Sequence, residues 1–176
     1  MKKSLLAMFI ASSSIFVVNN ALAADGTIDF TGEIIDNACE LAAGSDALKV
    51  NLGKVSKTAL PSTGSTAAAT KFTIKLINCP ATVSSAAVKF DAESYSGDDS
   101  VIALKKETGV ASGVGIQITD DTNTVVPLFT ASKVYPLKTG AGVVNNLDFR
   151  ARYIAKSDTV TAGPANGNAT FTINYN

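Results

Sequence analysis

Phe72, Ile74 and Leu76 alternate with Lys71, Thr73 and Lys75, and this two-residue period recurs along most of the chain. No stretch holds a 3.6-residue apolar period for more than two turns. Side chains that repeat every second position point to one face of a strand, so the chain is committed to pleated structure rather than helix. The period predicts strands at Ala47–Leu52, Lys71–Asn78, Ala87–Phe90, Val101–Leu104, Val114–Thr119, Val125–Phe129, Leu147–Ile154 and Ala169–Asn176. Turn-rich pieces separate them: Pro61–Gly64, Ser96–Asp99, Asp120–Asn123, Thr139–Gly142 and Ala162–Asn168. The low-complexity patch Ser62–Thr70 reads as a loop. Many short strands at this spacing predict an all-β sandwich.

The first 23 residues stand apart. Lys2 and Lys3 precede an apolar run from Leu5 to Val18, and Ala21-Leu22-Ala23 supplies small residues where a signal peptidase reads. The run is shorter than the ~20 apolar residues a bilayer needs. Residues 1–23 are therefore expected to be an export signal, with a mature chain of 153 residues from Ala24 to Asn176. Without Lys2 and Lys3, 13 basic residues face 15 acidic ones, a net charge of −2. No basic stripe remains, which argues against nucleic acid as a partner, and no second apolar stretch is long enough for direct membrane insertion. Cys39 and Cys79 are the only cysteines. In an oxidising compartment a disulfide is the default for such a pair.

Both ends of the mature chain read as strands in need of neighbours. Gly26–Ile35 places Ile28, Phe30, Gly32 and Ile34 on one face, with no turn after it and no second strand near enough for a hairpin. Phe171, Ile173 and Tyr175 share a face at the other end, on an edge without charge, proline or bulge to guard it. The pattern allows two arrangements: the termini pair with each other inside one domain, or each finds its partner in another chain.

Catalysis finds little support. The chain has no histidine, and it carries no G-x-S-x-G or phosphate loop. Gly109, Gly113 and Gly115 precede a strand rather than a helix. Asp98-Asp99 and Asp120-Asp121 lack the spacing of a calcium loop and read as solvated turn aspartates. Asn168-Ala-Thr170 matches the three-residue glycosylation pattern, a weak signal. No catalytic residue, metal site or cofactor is expected.

GTIDFTGEIIDNACEL, VNLGKVSKTAL, FTIKLINCP, GVGIQITD, LDFRARYIA and ATFTINYN occur in this order along the chain. Together they resemble the subunits of chaperone–usher pili, and most of all the type 1 fimbrial major rod subunit. The set combines a G-x-[IV]-x-F-x-G-x-[IV] start, one Cys soon after it, a second before Pro80, and a penultimate tyrosine. The resemblance implies an incomplete immunoglobulin-like sandwich that lacks its last strand and is completed by a donated one. It implies a signal peptide at 1–23, a donor-strand extension at 24–36 and a pilin domain at 37–176. Ile28, Phe30, Gly32 and Ile34 match the donor face, with Gly32 at a constriction. Phe171, Ile173 and Tyr175 match the groove-edge strand offered to a periplasmic chaperone, and the Asn176 carboxylate matches the group the chaperone anchors. Cys39 and Cys79 match the family disulfide.

The partners so implied are neighbouring copies or related pilins, the chaperone and an outer-membrane usher. The destination is an extracellular fimbria of a Gram-negative bacterium, where the subunit supports adhesion. A tip adhesin would carry a lectin domain ahead of the donor segment, for which the sequence leaves no room. A minor adaptor subunit of the same kind of pilus and a self-complemented periplasmic binding module are the alternatives.

Overall fold

The computed structural model describes residues 26–34 and 38–176. The chain divides into two units, Met1–Ile34 and Ile35–Asn176. In the first, Gly26–Ile34 forms no regular secondary structure, contrary to the strand that its alternation predicts. A strand is held by its ladder, and this segment has none. Ile28, Phe30 and Ile34 are 79%, 90% and 99% exposed. The export signal lies outside the described residues.

The second unit is built of antiparallel strands: β1 (Glu40–Leu41), β2 (Thr66–Ile77), β3 (Ser85–Asp91), β4 (Ser94–Tyr95), β5 (Asp98–Ile102), β6 (Val114–Asp120), β7 (Tyr135–Pro136), β8 (Asn145–Ala155) and β9 (Thr170–Tyr175). One sheet has the order β1-β2-β8-β6-β5-β4, and the other the order β7-β3-β9. The long β2–β8 ladder sets Phe72 opposite Phe149 and Ile74 opposite Leu147, so the alternation in both strands aims at one face. β6 pairs along β8 from Val114↔Ala155 to Asp120↔Phe149. In the second sheet Val88 faces Ile173 and Phe90 faces Phe171.

Between the sheets Ile74, Leu76, Val88, Leu147 and Phe149 are fully buried. Phe149 stacks on Phe72 with centroids 5.7 Å apart and meets Phe90 edge-on at 5.1 Å, geometries that aromatic quadrupoles favour. Tyr135 is the other large core aromatic, and its hydroxyl donates to the Asp148 carbonyl at 2.9 Å. Burial there pushes that phenol above its ordinary range.

Further sequence expectations need correction. The patch expected to be a loop, Ser62–Thr70, enters β2 at Thr66. Its small residues are held there by β8, with a register shift between Ala67 and Thr70. Val125–Phe129 is not a strand: Val125 makes a single bridge to Thr119 and the chain then turns. Pro127 has no N–H to give a ladder. Asp98 and Asp99, read as turn residues, begin β5, and only Ser96-Gly97 turn. Ala47–Leu52 is also outside any strand, because no ladder partner lies along it. Side chains hold this stretch against β2 instead: Ser45 Oγ accepts from the Lys75 N–H at 3.1 Å, and Thr70 Oγ1 donates to the Asn51 carbonyl at 3.4 Å.

Candidate functional site: an apolar groove beside the last strand

β9 is an edge strand, paired with β3 on one side only. Thr170, Thr172 and Asn174 face solvent, while Phe171, Ile173 and Tyr175 are half-buried against the core. On the far side of β9 lies a groove of about 540 Å³. One wall is Asp46–Leu52 without Lys49 and Asn51, and the other is Gly167–Phe171. Leu48, Val50 and Leu52 thus keep the alternation that the sequence shows, with the apolar members toward the gap. The floor is Phe72, Phe90, Ile102, Ile116, Ile118 and Ala151. These are the residues that a further strand beside β9 would cover.

Gly167 belongs in this wall for a steric reason. A Cβ at that position would sit 2.8 Å from Ile116 Cδ1 on the floor. Any larger residue would push into the groove or displace the floor. Beyond the β1 end of the groove the last strand is tied to the residue just before β1. The Tyr175 hydroxyl donates to the Cys39 carbonyl at 3.3 Å, and burial pushes this phenol up. Cys39 is itself bonded to Cys79, which follows the end of β2. The Asn176 main-chain oxygen accepts from the Ser84 N–H at 2.9 Å, the Ser85 N–H at 3.1 Å and Ser84 Oγ at 3.1 Å. The last residue is therefore fastened to the start of β3.

A family model described as Fimbrial protein matches residues 28–176. The chain belongs to the fimbrial protein family. It is 35% identical over 173 residues to long polar fimbria protein A of Salmonella typhimurium, covering 98% of this chain and 94% of that one. It is 37% identical over 185 residues to the type-1 fimbrial protein A chain of Escherichia coli K12, covering 99% of this chain and 100% of the other. Among solved structures, a Burkholderia pseudomallei antigen and type I fimbria protein is similar at 38% identity and a TM-score of 0.59, covering 85% of this chain and 97% of that one. The P pilus rod subunit PapA, at 21% identity, shares the fold with a TM-score of 0.66, covering 80% of this chain and 100% of its own. The fold is the immunoglobulin-like sandwich of pilus subunits, and the function is that of a structural fimbrial subunit.

For a fimbrial subunit the groove is the feature of interest, and the sequence residues fall around it unevenly. Phe171, Ile173 and Tyr175 lie on the strand that borders it, and Cys39 and Cys79 at its β1 end. Ile28, Phe30, Gly32 and Ile34 belong to the other unit, where a Cβ on Gly32 would meet nothing within 4 Å. Sequence reasoning missed the floor. Phe72, Ile116 and Ile118 read as ordinary inward-facing residues, because alternation says which face a side chain takes and not whether anything covers it. No group of three or more His, Cys, Asp or Glu side chains is placed to hold a metal among the described residues. No helix among them is long and apolar enough to cross a membrane.

Proposed function

We propose that this subunit builds a fimbrial rod by donor-strand exchange. The observation that carries the reading is the pairing of two incomplete features in one chain. A groove beside an edge strand opens onto core aromatics. An N-terminal segment exposes Ile28, Phe30 and Ile34 on alternate positions. Residues 24–36 act as the donor extension once the signal at 1–23 is removed, and residues 37–176 act as the acceptor domain. Main-chain bonds to β9 give affinity, and the alternate side chains give specificity.

Burying the three large side chains contributes roughly 1.5–3 kcal/mol each, or about 5–9 kcal/mol before ordering costs. Because the extension of one subunit fills the groove of the next, the contact is head-to-tail and does not close, which generates a filament. A periplasmic chaperone holds the groove before assembly, and an outer-membrane usher exchanges it for the next extension at the surface of a Gram-negative cell. Similarity to a type-1 fimbrial A chain and to long polar fimbria protein A supports a structural position in the fibre.

The mature chain produced alone in the periplasm is expected to aggregate or be degraded, and to accumulate when the cognate chaperone is co-expressed. A monodisperse, stable monomer without chaperone would favour the self-complemented module instead. Gly32→Leu is expected to stop fibre growth while the chaperone-bound subunit still accumulates. Normal fibres from that variant, viewed by electron microscopy, would remove Gly32 from the joint. Deleting the gene product should abolish whole fibres; loss of tips alone would indicate an adaptor.

A further inference from the structure

The groove does not end at Gly167. A second cavity of about 430 Å³ is lined by Gly53–Val55, Lys57 and Leu60 on one side and by Val160–Asn166 on the other. These stretches continue the walls of the first cavity, at Leu52/Gly53 and at Asn166/Gly167. The two cavities are thus successive parts of one gap, and they differ in charge. Among the described residues, the only charged one lining the first is Asp46. Those lining the second, again among the described residues, are Lys54 and Lys57. Both lysines are exposed, and neither has a salt-bridge partner among the described residues. The nearby carboxylates are already engaged: Glu107 accepts from Asn166 Nδ2 at 2.9 Å, and Asp158 from Thr63 at 2.8 and 2.9 Å.

The donor segment has the opposite sign. Between Gly26 and Ile34 it holds Asp29 and Glu33 and no basic residue. With Ile28, Phe30, Gly32 and Ile34 turned into a groove, both carboxylates face the rim. We propose that Lys54 and Lys57 form a cationic end of the groove that receives Glu33 of a second copy of this chain, and that this pairing speeds strand insertion. The inference rests on the donor-strand reading above. Every ladder among the described residues is antiparallel. A strand laid antiparallel to β9 puts its Ile34 end at Val160–Asn166, beside Lys54 and Lys57. Asp29 then lies toward Asp46, and a parallel strand would only exchange the two carboxylates, so the charges act on the rate of insertion and leave its direction to the ladder. An exposed ion pair adds little to affinity once formed. Its effect is on encounter, where complementary charge steers association.

Two measurements test this. Fibres of the unaltered chain are treated with a carbodiimide, which joins a carboxylate to an amine with loss of water, and linked peptides are read by mass spectrometry. Glu33 is expected to link to Lys54 or Lys57 of a neighbouring subunit. Links from Glu33 to other lysines, without these two, would overturn the proposal. In the second, a synthetic peptide of residues 26–35 is added to the chaperone-bound mature Gly32→Leu chain as acceptor. Insertion of the wild-type peptide should slow about tenfold as salt rises and screening shortens the range of the charges. An E33Q peptide, or an acceptor with K54Q and K57Q, should start slow and lose most of that salt dependence. Rates that ignore both salt and Glu33 would overturn this inference and leave strand addition standing. No insertion of any peptide would instead remove the donor-strand reading itself.

Discussion

Phe149 and Phe72 stack on one another, yet they meet different surroundings. Phe149 is fully buried, while Phe72 is half-buried on the groove floor. Truncating a buried phenylalanine removes transfer energy and leaves a cavity. Phe149→Ala should therefore cost about 3–5 kcal/mol in urea unfolding. Phe72→Ala should cost clearly less in the isolated acceptor, because part of its ring already borders open space, and should weaken the filled state more. Equal losses in the isolated chain would mean that the floor is as covered as the core. The alternation of Lys71–Asn78 made the inward direction of Phe72 legible in the sequence. Its incomplete cover was not, since exposure depends on what the rest of the chain fails to place above it.

β5 is fastened by charge as well as by its ladder. The Asp98 carboxylate accepts from Lys156 Nζ at 2.6 Å and from Ser100 Oγ at 2.6 Å. The Lys156 ammonium and the Ser100 donors hold it at about 2, against an ordinary 3.8. A carboxylate whose pKa is depressed by folding contributes stability above its unfolded value, and loses it as pH falls through the folded one. The contribution of Asp98 is thus full above about 4 and gone below about 2. D98N is expected to lower the midpoint of thermal unfolding at neutral pH and to converge on the unaltered chain near pH 2. A gap that persists at that pH would show that the pair does not act through ionisation. Its partial exposure and salt screening keep the expected shift small.

Periodicity located most strands at this level, and its errors share a cause. Ala47–Leu52 alternates without pairing, Thr66–Thr70 pairs despite bland composition, and Val125–Phe129 is broken by Pro127. In each, the outcome turned on a neighbour, or on a donor, that an apolar pattern does not record.

The Cys39–Cys79 bond closes a 40-residue loop that contains Asp46–Leu52 and all of β2. In the chain-entropy model a loop of this size stabilises by about 4 kcal/mol. The groove wall has no ladder of its own, so the covalent tie limits how far it can stray. Cys39→Ser is expected to lower the midpoint of urea unfolding and the periplasmic yield. An unchanged midpoint would mean that the wall is held by packing alone. The two cysteines and the unguarded last strand were visible in the sequence. The groove was reached only through resemblance, because a cavity belongs to the whole assembly of elements and to none of them singly.

The hydroxyl bridge from Tyr175 to Cys39 has a consequence for counting. A ladder of main-chain bonds looks the same after a slide of two residues, so an extended segment in a uniform trough has no preferred phase. A trough whose bordering strand is fixed at one end has an origin. Positions along it acquire fixed distances from that end, and a segment carrying one small residue among large ones can be read against them as against a ruler.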